Sequence, residues 1–271
     1  MEINGRVIIT GATGAMGAAA TEALAAQGAD VVLACRNRAR AESLRSAILA
    51  RYPAASLEIR DLDLSSLASV RRFAESVGPA DALFNNAGTI SRSFSQTPDG
   101  LESTFAVNYF GPWLLTTLLA DKLPDGAAVV NMVSLSCRFV PFPPETIQPT
   151  PEHFSQLGTY ASSKRALLSF SQELARRCPR LRVNVADPGV VATGIIDLGR
   201  WFDPLTDALF KPFCKTPEKG VQPALNALSS PERLRYFVGK GSRPIPQRYI
   251  DPTRDRALWS ATGILLGVRG R

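Results

Sequence analysis

Hydrophobic and polar positions along this chain switch between two periods, and the switching predicts strands and helices in turn. A β-branched run at 7–10 predicts a strand, and the Ala-rich GAMGAAATEALAAQG after it predicts a helix that stops at Gly28. DVVLAC (30–35) predicts a second strand, and 38–50 an amphipathic helix. SLEIRDLDL (56–64) predicts a third strand, followed by the helix SLASVRRFAESV with Ser65 or Ser66 as its cap. ADALFNNAG is a short buried strand ending in polar residues. Helical spacing runs over 101–122, with Phe105, Leu114, Leu115, Leu118 and Leu119 as its apolar positions. AAVVNMVS (127–134) is strand-like, 160–177 is helical, and LRVNVADPG is a strand that runs into a turn.

Strands alternating with helices of this length predict βαβ units and a parallel sheet. The fold class is therefore α/β, a doubly wound parallel sheet of Rossmann type, as a single domain over 1–271. The stretches least suited to regular structure are 138–158 and 194–216. Long loops at the C-terminal ends of such strands are usually functional.

Composition narrows the chemistry. The 271 residues allow a large core, and the 20% charged share argues against disorder. The net charge of +7, mostly from arginine, suits an anionic small molecule. No basic run is interleaved with aromatics, so no nucleic-acid partner is expected. The four cysteines form no CxxC pair, which fits a reducing compartment and no zinc site. The one histidine, His153, rules out a histidine metal cluster and leaves no HExxH. No metal is expected. The N-terminus lacks the pattern of a signal peptide, and GILLGV near the C-terminus is too short to span a bilayer. A cytoplasmic protein without a membrane anchor is the expectation.

TGATGAMG (10–17) follows the first strand and opens the first helix. Gly11 allows the tight turn, and Gly14, Ala15 and Gly17 leave room for a pyrophosphate over the helix N-terminus. The second strand ends in Cys35, Arg36, Asn37 and Arg38, with no carboxylate to take a ribose hydroxyl. Arg36 suits a 2′-phosphate instead, so NADP(H) is expected; the alternative is that Arg36 and Arg38 only begin a solvated helix.

Two stretches place a tyrosine four residues before a lysine: YASSK (160–164) and YFVGK (236–240). On a helix that spacing puts both side chains on one face. YFVGK, followed by Gly241, reads as a strand running into a turn, which would hold Tyr236 and Lys240 about 13 Å apart. YASSK leads into a helix, so Tyr160 and Lys164 remain the candidate pair.

These motifs resemble, in order and over nearly the whole chain, the short-chain dehydrogenase/reductase family. TGATGAMG is similar to its glycine loop, so the resemblance places Gly11, Thr13, Gly14, Ala15, Met16 and Gly17 at the cofactor. DLDL ends in Asp63 and Leu64, which the resemblance assigns to the adenine. NNAG supplies Asn86, Ala87 and Gly88, and Arg36 with Asn37 completes the adenosine side. VNYFG supplies Asn108, VNMVSLS supplies Ser134, and YASSK supplies Tyr160 and Lys164 as the catalytic set. Tyr160 and Lys164 also count as cofactor contacts. DPGVVAT supplies Pro188, Gly189, Val191 and Thr193 near the nicotinamide. VLACRNRARAE and DLDLSSLASVRRFA resemble the retinol-dehydrogenase-like subgroup, although the Pro-rich path into YASSK is shorter than in that subgroup.

The resemblance implies hydride transfer between the nicotinamide and a carbonyl or alcohol. Tyr160 would supply the proton, with its pKa lowered by the Lys164 cation. Ser134 would hold the substrate oxygen, and Asn108 a proton-relay water. The apolar side chains of 194–216, with Phe139, Phe142 and Phe154, either line a substrate lid and pocket for a steroid, retinoid, lipid aldehyde or aromatic ketone, or pack on the protein itself or a partner subunit. A homodimer on helices matching 101–122 and 158–177 is admitted by the resemblance. A cofactor-binding regulatory protein on the same scaffold is the competing reading.

Overall fold

The computed structural model describes residues 5–141, 147–191 and 214–268. Its strands are β1 (Arg6–Thr10), β2 (Asp30–Cys35), β3 (Ser56–Asp61), β4 (Ala82–Asn85), β5 (Ala128–Met132), β6 (Arg182–Asp187), β7 (Arg235–Val238) and β8 (Gly241–Pro244). They form one sheet in the order β3–β2–β1–β4–β5–β6–β7–β8. All neighbours are parallel except the β7–β8 hairpin. The chain reverses direction across the sheet between β3 and β4, so β1 and β4 meet at the switch point where such sheets bind ligands.

The period of two in each strand feeds two cores. Val7 and Ile9 of β1 pack with α1 (Ala15–Ala25), α2 (Arg38–Arg51) and α7 (Pro217–Ser229). Ile8 packs on the other face, against α3 (Leu67–Ser76), α5 (Gly111–Leu119), α6 (Gln156–Arg177) and α8 (Pro252–Leu265). Strands buried on both faces read as continuous apolar runs, which is why β1, β2 and β5 were legible. On the second face Trp259 of α8 stacks on Phe170 of α6 at 5.6 Å and lies 5.1 Å from Trp113 of α5. The last described helix thus packs on two of the helices over which the resemblance admits a homodimer.

Three expected elements differ. The third strand stops at Asp61 rather than running to 64, because Leu62 and Leu64 turn down into the core beneath the strand end. The expected helix over 101–122 is broken: α4 (Ser103–Phe105) widens into a π-helix over Ala106–Phe110 before α5 begins. The helix carrying YASSK begins at Gln156, so Tyr160 lies inside its second turn and not at its start. The helices α7 and α8 and the strand β8 had no sequence expectation. Ser66 is the cap of α3, accepting from the Ser69 amide at 3.3 Å. No helix among the described residues is long and apolar enough to cross a membrane, and no group of residues there could hold a metal ion.

Candidate nucleotide and catalytic site

The glycine loop closes the end of β1. Gly11 has φ +64°, a region open to glycine, and its amide donates to Ala34 O at 2.9 Å. A Cβ on Gly17 would press into Gly11 O and stand 2.9 Å from Ala12 Cα, so only glycine lets α1 start this close to the strand. Gly14 is the N-cap of α1 and offers no side-chain bond, and the first turn carries no acid. The helix therefore presents free amides and a positive dipole end. Thr10, which the sequence reading passed over, ties the loop to the NNAG segment. Its Oγ1 accepts from the Asn86 and Ala87 amides at 3.1 Å each. Asn86 Nδ2 donates in return to Thr10 O at 2.9 Å.

A cleft of about 900 Å³ runs over this loop. Thr13, Gly14, Ala15, Met16 and Gly17 line it, as do Arg36 and Asn37, Asp63 and Leu64, and Asn86, Ala87 and Gly88. Arg40 also lines it and was missed; its position four residues after Arg36, in the first turn of α2, was the available signal. Asn37 Oδ1 caps α2 by accepting from the Arg40 amide at 2.9 Å, which fixes both arginines at the end of β2. Arg38 pairs with Glu42 and Asp61, whereas Arg36 and Arg40 have no carboxylate partner among the described residues. Asp63 is held by Ser65, whose hydroxyl donates to Oδ1 at 2.6 Å. Buried Asn86 Oδ1 has no partner within the described protein. Free helix amides, a glycine cradle and an unpartnered buried oxygen together fit a dinucleotide, with two guanidiniums at the cleft that have no carboxylate partner among the described residues.

The expected catalytic residues meet beyond this cleft, at the C-terminal ends of β4, β5 and β6. Asn108 is fully buried within the π-helix. The helix that carries it is capped by the buried Glu102 carboxylate, which accepts from the Thr104 and Phe105 amides at 2.9 and 2.8 Å. Asn108 Oδ1 accepts from the Thr89 amide at 2.8 Å, and its Nδ2 donates to Thr89 O at 2.9 Å and to Ser163 Oγ at 3.0 Å. The side chain expected to hold a water is thus occupied by protein. The wider helical step leaves a main-chain carbonyl outside the α ladder there, a feature that recurs at functional sites. Ser163, also unforeseen, donates to Tyr160 O at 2.7 Å and so couples Asn108 to the tyrosine's backbone.

Ser134 follows β5, with its hydroxyl near enough to the Tyr160 phenol to oppose the rise in the phenol's pKa. Its Oγ accepts from the Ser136 amide at 3.2 Å. Lys164 is 3% exposed; its ammonium donates to Met132 O at 2.9 Å and lies under Gly88, where an added Cβ would stand 3.3 Å from Nζ. Burial pushes the phenol up to about 12, with the Ser134 hydroxyl opposing. Burial pushes the ammonium down to about 8, with the Cys137 thiol opposing. The expected lowering of Tyr160 by Lys164 is therefore corrected: burial raises the phenol, and Lys164 is not among the groups that oppose it.

The 187–191 segment leaves β6 next to Ser134, since the Val133 amide donates to Ala186 O at 2.9 Å. Pro188 O accepts from Lys215 Nζ at 3.0 Å, and Val191 forms a bridge with Lys215. Pro188, Gly189 and Val191 are not among the residues lining the cleft, and neither are Ser134, Tyr160 and Lys164. Thr193, Phe142 and nearly all of 194–216 lie outside the described residues. Phe154 meets Phe94 edge-on at 6.1 Å, and Phe139 is 74% exposed. His153 Nδ1 is 2.9 Å from Thr150 Oγ1 in its own loop.

The family model described as short chain dehydrogenase matches residues 5–198. Human retinol dehydrogenase 14 is 32% identical over 290 aligned positions, covering 97% of this chain and 86% of that protein. Human retinol dehydrogenase 12 is 33% identical over 277 positions, with the same coverage of 97% and 86%. A solved structure of an uncharacterized protein from Mycobacterium paratuberculosis has a TM-score of 0.77 at 32% identity, covering 98% of this chain and 94% of that one. A short-chain dehydrogenase from Sphingobium yanoikuyae, solved with NADPH, shares the fold with a TM-score of 0.64 at 23% identity, covering 86% of each chain. This chain therefore belongs to the short-chain dehydrogenase/reductase family, oxidoreductases that bind a nicotinamide cofactor, and within it is similar to the retinol dehydrogenases.

Proposed function

We propose that this protein is an NADP-dependent oxidoreductase that moves a hydride between the nicotinamide and the carbonyl or alcohol carbon of a bulky apolar substrate. The reading rests on one observation above the others: the Tyr160 phenol meets Ser134 at the strand ends, with Lys164 beneath Gly88 at the edge of the nucleotide cleft. The bound cofactor supplies or accepts the hydride. Gly11, Thr13, Gly14, Ala15, Met16 and Gly17 hold its pyrophosphate, and Asp63, Leu64, Asn86, Ala87 and Gly88 its adenosine side. Arg36, Asn37 and Arg40 take the 2′-phosphate, and Pro188, Gly189 and Val191 face the nicotinamide.

Tyr160 passes its proton to the substrate oxygen as the hydride reaches the carbon. A phenol that titrates near 12 keeps its proton at neutral pH, which suits donation, and so carbonyl reduction. Ser134 orients the same oxygen and stabilises the charge that develops on it. Lys164 keeps its charge near neutrality and holds the cofactor ribose side, and Asn108 shapes the backbone at the π-helix where a relay water binds. Exposed Phe139, Leu157 and Val190 flank the Tyr160 and Ser134 segments and favour an apolar substrate, such as a steroid, a retinoid, a lipid aldehyde or an aromatic ketone.

The test is a panel of ketones, aldehydes and alcohols followed by nicotinamide absorbance, with NADPH and NADH compared. Turnover with NADPH is expected. Tight NADPH binding without turnover of any carbonyl would favour the cofactor-sensing reading instead.

A further inference from the structure

Tyr236 belongs to the second Tyr–Lys stretch, which the chemistry above leaves unused. It lies on β7 opposite Val185 of β6, so Asp187 is its diagonal neighbour on the same face of the sheet. The Tyr236 hydroxyl donates to Asp187 Oδ2 at 2.6 Å. Asp187 Oδ1 accepts from the Gly189 amide at 2.9 Å. Both side chains are buried, at 2% and 1% exposure. Gly189 has φ +75°, a conformation open to glycine, which lets its amide turn back onto the carboxylate two residues before it. Lys240, the other half of the stretch, is exposed beyond Gly239 and takes no part.

We propose that Tyr236 is a positioning residue. Its hydroxyl fixes the Asp187 carboxylate, the carboxylate latches the Gly189 amide, and the latch sets the turn at 188–191 beside Ser134 and Tyr160. The inference rests on the reading that this site transfers a hydride. A buried carboxylate oxygen without a donor is costly, so Asp187 would rotate or rehydrate once the phenol hydroxyl is gone. The turn would then loosen while the ring of residue 236 still packs with Val133, Cys137, Leu168 and Ile245.

The experiment compares Tyr236→Phe, Asp187→Asn and the double variant with Tyr249→Phe. Tyr249 shares the same apolar cluster, but its hydroxyl accepts from Arg248 instead of reaching Asp187. Residue-resolved hydrogen exchange should show the Gly189 amide exchanging about tenfold faster in Tyr236→Phe, the size expected for losing a bond to a charged group. In the same variant kcat should fall about tenfold, with KM for NADPH moving less than about threefold. Tyr249→Phe should change neither, and the double variant should be no worse than Asp187→Asn. Full protection of Gly189 in Tyr236→Phe would overturn the proposal. So would equal acceleration in Tyr249→Phe, additive losses, or faster exchange with kcat unchanged. If the wild type turned over no carbonyl, the exchange data would still decide the latch, and the failure would fall on the hydride-transfer reading alone.

Discussion

The Lys164 ammonium, on α6, donates to the Met132 carbonyl at the end of β5 across 2.9 Å, shut away from solvent. Burial holds its pKa near 8, against 10.5 for an ordinary lysine. Between these values the unfolded chain carries the extra proton, so this residue makes stability rise with pH. Relative to Lys164→Met, the wild type should gain up to about 3 kcal/mol from pH 7 to 10.5. Urea unfolding of both proteins at the two pH values measures the gain. A constant difference would mean that the ammonium is not desolvated as described.

Tyr160→Phe should lower turnover by about 10²–10⁴-fold, the range for a lost general acid. NADPH affinity, read by energy transfer from tryptophan, should stay within about threefold of the wild type. A fully active variant would remove Tyr160 from the mechanism.

Arg36→Glu and Arg40→Ala should each weaken NADPH by roughly ten- to a hundredfold, since each removes a charge-assisted contact to phosphate. NADH affinity should barely change, because it lacks the 2′-phosphate. Equal losses for the two cofactors, measured by calorimetry, would reduce both arginines to a solvated helix start.

Gly17→Ala should destabilise the protein by about 1–3 kcal/mol, because the added Cβ meets main chain that cannot swing aside. NADPH binding should weaken in parallel as the loop shifts. Gly78→Ala, where a Cβ meets nothing within 4 Å, should stay within about 0.5 kcal/mol of the wild type in thermal unfolding.

Much of the nucleotide half of the site was legible because glycine loops act locally. The TGATGAMG spacing implies its turn wherever it occurs between a strand and a helix, and the turn is found here. Asn108 shows the limit. Its helix was expected to be regular, yet Leu64 and Gly111 are so close that a Cβ on the glycine would stand 2.6 Å from Leu64 O. The widened π step lies just before this contact, and no periodicity in the residues announces it. Arg40 was readable in principle, one turn beyond Arg36, but nothing in the sequence says that the two share a cleft.

What the chain determined by itself was the alternation of strands and helices, the α/β class, the glycine turn and the order of the motifs. Each follows from side-chain period or backbone freedom over a few residues. The tertiary structure alone decided that Ser163 bridges Asn108 to Tyr160, that Tyr236 answers Asp187, and that burial moves the Tyr160 phenol up instead of down. Those outcomes depend on desolvation and on partners dozens of residues away, and both are set only when the sheet assembles and water is excluded.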